Sequence, residues 1–297
     1  MHPGDDHMME PAVSIVMPVR NVQGTIDPAI RSILAQTWKA WELVVLDDGS
    51  TDRTVQQLRA WADLDDRIRP FVDGRALGLP ARLNEGVRHS RAPIIARMDG
   101  DDICYPHRLE TQLTFLRENP DVDVVGAGSM VFMSDGTPRG PRSQPGGHEE
   151  LTANPLLNGI PLSHPTWMGR RSWFLQFPYD PRARRCEDWE VLLRGHPSSR
   201  YASLPDVLLG YREDRIKLRS SVESRLHQVI FLPRYGVRDR RVLSSLLGAA
   251  GQLAKVARDT MAVMARRQDL VLVRRNQVPT PSEIATWKVM WSNFADS

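Results

Sequence analysis

Short apolar runs recur along the first hundred residues, and each gives way to a segment with helical spacing. Residues 12–18 (Ala-Val-Ser-Ile-Val-Met-Pro) are apolar and closed by proline, after which Ile26, Ile30, Ile33 and Leu34 predict a helix over residues 26–36. Residues 42–46 repeat the strand signal, and Val55, Leu58 and Trp61 mark the next helix. Residues 68–72 predict a third strand, Pro80 suits the first turn of a helix over 80–89, and residues 93–98 read as a fourth, buried strand. Strands and helices alternating at this spacing predict βαβ units: an α/β fold with a mainly parallel central sheet and helices on both faces.

Ligands of such sheets gather where the strands end, because loops and helix N-termini converge there. Two of these ends are acidic. Asp47-Asp48 follows the second strand, and Asp99-Gly100-Asp101-Asp102 follows the fourth. A lone Asp-x-Asp is more often a solvated turn, but two acidic loops at one sheet edge favour a site. Clustered carboxylates at the end of a buried strand call for a counter-charge, and hard divalent ions such as Mg2+ or Mn2+ share such oxygens with phosphates. A third acidic pair, Glu187-Asp188, precedes Trp189, Leu192 and Leu193 and so falls in a helix's first turn, where it would also complement the helix dipole.

The composition is that of an ordinary water-exposed chain: 297 residues, 41% hydrophobic, with a formal charge of +3. No apolar run approaches the roughly 18 residues of a membrane span, and the stretch 151–169 is interrupted by Pro155, Pro161 and Pro165. Residues 1–10 are polar, lack the features of a secretory signal and are expected to be disordered, which points to a cytoplasmic protein. Cys104 and Cys186 are then free thiols. Residues 239–297 hold nine Lys/Arg against five Asp/Glu, so a near-neutral body carries a basic tail; nucleic acid is not expected as a partner, whereas a membrane surface or an anionic partner is compatible. Within that tail Leu243, Leu246, Leu247, Ala250, Leu253, Ala257, Met261 and Met264 fall at helical spacing beside Lys255, Arg258, Arg266 and Arg267. The stripe predicts either packing on the body of the protein or a second subunit, or an interfacial helix at a membrane, where Arg274, Arg275, Trp287 and Trp291 would suit the headgroup region.

Taken in order, residues 13–18 with Asn21, 32–37 (Ser-Ile-Leu-Ala-Gln-Thr), 42–52 (Glu-Leu-Val-Val-Leu-Asp-Asp-Gly-Ser-Thr-Asp), and 96–103 with Pro106, Arg108 and Leu109 resemble the family 2 glycosyltransferases of the GT-A fold. Residues 163–166 with Arg170-Arg171, and Glu187-Asp188-Trp189 with Leu193-Arg194, extend the likeness, which covers residues 12–212. It implies a GT-A catalytic domain over 11–220, with a nucleotide-sugar half (11–105) and an acceptor half (106–220), followed by a helical, basic extension over 221–297. It also implies transfer of a sugar, with inversion, from a nucleoside diphosphate sugar of the UDP type to a saccharide or lipid-linked acceptor in cell-surface polysaccharide synthesis; the apolar stripe of the tail is compatible with a homodimer or with contact at the inner face of the plasma membrane.

The same resemblance assigns roles. Asp48 would bind the base, with Pro18, Asn21, Asp47 and Arg82 around the nucleotide; Asp99 would meet ribose or the metal ion, and Asp101 would hold the ion. Asp102 is either a second ligand or a cap of the following segment. Asp188 would be the catalytic base, with Glu187 orienting it or pairing with Arg184 or Arg185. His164 would contact acceptor or phosphate, or serve structure alone; Arg212, Lys217 or Arg219 would contact phosphate in place of a histidine common there. Arg20 and Ala76 stand where the family often has an aromatic residue and an asparagine. Without a Gln-x-x-Arg-Trp signature, one sugar per acceptor encounter is expected. A nucleotidyltransferase or dehydrogenase would need a Gly-rich loop at residues 18–24, which is absent. An idle sugar-nucleotide binder would not need Asp188.

Overall fold

The computed structural model describes residues 10–215, 218–265 and 276–295; Lys217, residues 1–9 and the four arginines at 266, 267, 274 and 275 lie outside them. The expected alternation is present: β1 (Val13–Val19), α1 (Ile26–Leu34), β2 (Trp41–Asp47), α2 (Thr54–Leu64), β3 (Ile68–Phe71), α3 (Leu79–His89) and β4 (Ile94–Arg97). The order β3-β2-β1-β4 is parallel throughout. Alternate residues of these buried strands feed opposite layers. Ile15, Met17, Leu43 and Val45 pack with α1, α2 and, from the next part of the chain, α4 (Arg108–Glu118), whereas Val16, Val44 and Leu46 pack with Leu83 and Val87 of α3. Helices therefore cover both faces, as the unbroken apolar runs require.

Beyond β4 the sheet becomes mixed. It continues through β8 (Met168–Arg170), β6 (Val124–Phe132), β9 (Tyr201–Arg212) and β5 (Ile103–Cys104), with β7 (Pro138–Arg142) paired to the far half of β6. β8 runs antiparallel to both β4 and β6, while β6 and β9 are parallel. Short helices α5 (His148–Leu151) and α6 (Pro155–Asn158), a 3-10 turn at His164–Thr166, α7 (Arg171–Gln176) and α8 (Glu187–Gly195) fill the segment between β7 and β9.

Among the described residues three helices follow β9: α9 (Leu218–Arg238), α10 (Val242–Met264) and α11 (Pro281–Ala295). α9 and α10 form an antiparallel hairpin, its seam marked by Arg225 reaching Gln252 and Asp259. Of the alternatives left open for the α10 stripe, inward packing does not occur, since the stripe faces out: the buried positions of α10 are Ser245, Gly248, Gln252 and Asp259, and Leu243, Leu246, Leu247 and Leu253 are exposed. The reason is close approach, since a Cβ on Gly248 would lie 2.0 Å from the Leu156 carbonyl oxygen of α6. Packing of the stripe on the catalytic body is thus overturned. The placement of Trp287 and Trp291 at a headgroup region is also corrected. Both belong to α11, which packs on the sheet; Trp287 is fully buried and lies 4.5 Å, ring to ring, from Phe132.

Candidate active site

The first acidic loop is tightly held. Asp47, at the end of β2, accepts from the backbone N–H groups of Gly49 and Ser50, and Gly49 takes a left-handed φ of 71° beside the backbone of Arg75. Asp48 accepts from Leu77 N (2.6 Å), Gly78 N (3.0 Å) and Arg82 Nε (3.2 Å). Arg82 is itself buried and also binds Asp73 and Glu85, so its guanidinium is committed to holding the loop. Arg20 reaches over Asp48 from the solvent side at 3.9 Å. Asn21 braces the same edge: with φ 53° it turns Oδ1 to the Thr51 N–H at 2.8 Å. Pro18 is buried within β1 against β2.

The second acidic loop rises from a buried cation. Arg97, the last residue of β4, donates from Nη1 to Asp99 Oδ2 at 2.7 Å, while its own carbonyl accepts from the fully buried Arg108. Asp99, Asp101 and Asp102 bring one carboxylate oxygen each to within 4.8 Å of one another. Asp102 does not cap a helix, because β5 follows it directly. Its Oδ1 accepts from Arg212 N at 3.1 Å, and its Oδ2 is buried with no hydrogen-bond partner. Burial, then the charges of Asp101 and Asp99, push the Asp102 carboxyl well above the ordinary range. A buried carboxylate oxygen without a donor, next to two more carboxylates, fits a hard divalent cation. Arg212 adds a fixed positive charge here: its Nε donates to the Asp101 carbonyl at 2.8 Å, and its guanidinium packs against the rings of both Phe132 and Trp291.

Both Asp188 and Asp99 line one open cavity of about 490 Å3, together with Arg97, His164, Arg185 and Glu187. Asp188 and Glu187 occupy the first turn of α8. Burial raises the Asp188 carboxyl above its ordinary value, with Arg97 opposing, and burial followed by the Asp188 charge pushes Glu187 up to about 7. His164 is buried with Nε2 2.9 Å from Tyr179 Oη; burial and Arg97 hold it well below its ordinary pKa, so it is a neutral group in the cavity wall. Arg185 approaches Glu223 of α9 at 3.9 Å.

The site residues read from the sequence therefore divide. Asp99, Glu187, Asp188 and His164 share the cavity; Asp101, Asp102 and Arg212 meet behind Asp99; Asp47, Asp48, Arg82 and Asn21 form a separately braced loop. Arg219 is exposed in the first turn of α9 and does not line the cavity. Sequence reasoning gave no role to Arg97, Arg142 or Tyr211, all of which line it. Arg97 carried a signal: an arginine ending a buried strand must find anions, and the next residues supply them.

Comparison with known proteins gives a consistent picture. The sequence profile of Glycosyl transferase family 2 matches residues 14–177. EpsE of Bacillus subtilis (strain 168) is 36% identical over 209 residues, 69% of this chain and 74% of EpsE. The O-antigen biosynthesis glycosyltransferase WbnJ of Escherichia coli is 30% identical over 205 residues, 67% of this chain and 79% of WbnJ. Among solved structures, the mannosyltransferase PcManGT from Pyrobaculum calidifontis in complex with GDP-Man and Mn2+ superposes with a TM-score of 0.59 at 17% identity, covering 96% of this chain and 85% of that one. S. aureus TarS 1–349 in complex with UDP-GlcNAc gives 0.57 at 17% identity, covering 95% and 80%. Those two likenesses concern the fold, which is GT-A. With the profile spanning more than half its length and the motif residues gathered at the ends of the strands, the chain belongs to glycosyl transferase family 2.

Proposed function

We propose that this protein transfers a sugar from a nucleoside diphosphate sugar, of the UDP type, to a hydroxyl of a saccharide or lipid-linked acceptor, with inversion, in the building of a cell-surface polysaccharide. The observation that carries the proposal is that Asp188 and Asp99 face one cavity, which puts a buried, raised-pKa carboxylate opposite the acidic loop. The roles of WbnJ and the nucleotide sugars bound to TarS and PcManGT support the substrate class.

In this reading residues 11–105 hold the nucleotide and 106–220 hold the acceptor. Asp48, fixed by Arg82 and two backbone N–H groups, faces the base, and Arg20 covers it. Asp101, Asp99 and Asp102 would hold a Mg2+ or Mn2+ ion, which supplies positive charge at the leaving diphosphate. Arg212 adds a second, fixed cation there. The acceptor hydroxyl gives its proton to Asp188 as its oxygen attacks the anomeric carbon; the bond to the diphosphate breaks, and the electron pair leaves with the diphosphate. Inversion needs this single base, which contributes about 10² to 10⁴ in rate. Arg97 favours its ionised form against burial, and neutral His164 shapes the wall.

The test pairs two variants, assayed with Mn2+ and a panel of nucleotide sugars. Asp188→Asn should abolish transfer and keep metal-dependent nucleotide binding, whereas Asp101→Ala should lose both. Full transfer by either variant would overturn the assignment.

A further inference from the structure

The outer face of the α9–α10 hairpin is apolar, and both helices build it. In an antiparallel pair, the residues one position beyond each seam residue point to the same side. The seam runs through Arg225 and Gly236 on α9 and through Ser245 and Gln252 on α10. One step further lie Leu226 and Val237, with Ile230 between them, and Leu246 and Leu253; all five are exposed. Leu243, Leu247, Met261 and Met264 widen the same face of α10 and are also exposed, Met264 at 79%. The opposite side of α10 is the one Gly248 presses onto α6. The apolar strip follows α10 for about 34 Å, more than scattered surface leucines require.

Its surroundings are basic. The two helices and their turn contain eight Lys/Arg against three Asp/Glu. Two of the three acids are already neutralised: Asp259 is buried against Arg225 and Arg258, and Asp239 is paired with Arg238. Arg240 and Arg241 stand exposed at the turn, and Arg234 stands exposed in line with Ile230 and Val237. A second copy docked through this face about a twofold axis would bring like charges together at the rim. A surface of anionic lipid would satisfy both the apolar strip and its basic border. No helix among the described residues is long and apolar enough to cross a membrane, so the contact lies in the plane of the surface.

We propose that the outer face of the α9–α10 hairpin docks this protein onto an anionic lipid bilayer. The hairpin adjoins the site: Arg185 lines the active-site cavity and also a smaller one formed by Ser220, Ser224 and Arg225 at the start of α9. A bilayer held by the hairpin is thereby brought beside the cavity that holds Asp188.

The test is flotation of the full chain with phosphatidylcholine vesicles, with and without phosphatidylglycerol, in the absence of donor and acceptor, so that it succeeds or fails independently of the transfer reaction. Binding to the anionic vesicles should exceed that to neutral ones by at least about tenfold and should weaken in about 0.5 M salt. Leu246→Gln/Leu253→Gln and, separately, Arg240→Gln/Arg241→Gln should each cut the bound fraction about tenfold, with circular dichroism and donor hydrolysis unchanged. Failure to bind anionic vesicles, or binding that neither pair of substitutions reduces, overturns the proposal. A dimer that Leu246→Gln/Leu253→Gln turns into a monomer would assign the face to a second copy and would overturn it as well.

Discussion

Arg97 and Asp99 form an ion pair of 2.7 Å on the floor of the cavity, with the arginine side chain only 5% exposed. Burial raises the Asp188 and Glu187 carboxyls and the guanidinium opposes it, whereas at His164 burial and the guanidinium act together to keep the ring neutral. Arg97→Met should cost about 3 kcal/mol of stability, because removing one partner of a buried pair strands the other charge. Urea unfolding without metal measures it. The same variant should move the acid limb of the rate profile upward, since Asp188 loses the cation that favours its ionised form.

Glu187 gives a pH dependence of stability with a definite sign. Its folded pKa is raised from an ordinary 4.5 to about 7, so the folded state binds this proton more tightly than the unfolded chain does. The resulting stability is complete below pH ~4.5 and is lost as pH rises through about 7. Glu187→Gln should remove that loss. Its melting temperature should match that of the parent near pH 5 and exceed it near pH 8, by an amount worth on the order of 2 kcal/mol. Thermal unfolding across this window decides it; a parallel decline in both proteins would show that Glu187 is not buried as described.

The nucleotide loop makes a third prediction. Arg82 is spent on Asp48, Asp73 and Glu85, which leaves it no free donor for a ligand. Its effect on the donor substrate should therefore pass through the position of Asp48. Arg82→Met should weaken UDP binding about tenfold, and Arg82→Lys should restore little, because one ammonium cannot replace a planar fork serving three carboxylates. Calorimetric titration with UDP distinguishes these outcomes from direct contact, in which the lysine would retain most of the affinity.

How much of this was visible in the chain depended on whether neighbours in sequence were neighbours in space. The alternation through β4 was legible because β1, β2 and β4 are buried, mostly apolar runs that give way to polar loops. Asp99 to Asp102 was legible because its partners are adjacent in the chain. β5 to β9 were not, since β5 has two residues and β9 carries polar side chains over its exposed middle. The α10 stripe was read correctly as amphipathic, but spacing shows only that one face is apolar, and the small residues Ser245 and Gly248 were the ones that packed. Tryptophans say little about direction: Trp287 and Trp291 served the core.

That core position links the far end of the chain to the active site. Trp291 of α11 lies 5.4 Å from the Phe132 ring, and the Arg212 guanidinium is 4.7 Å from Phe132 and 5.7 Å from Trp291. The two rings fix Arg212 where its Nε holds the Asp101 carbonyl and its backbone N–H holds Asp102. Trp291→Ala removes one of the two rings packed against Arg212 and a cation–π contact of about 1 kcal/mol. Arg212 should then wander, and metal-dependent nucleotide affinity should fall about fivefold, in proportion to that energy, although residue 291 stands far along the chain from Arg212, on α11. Trp291→Phe retains a ring against Arg212 and should recover most of the affinity. A loss of affinity equal in both variants would mean that α11 acts only through overall stability.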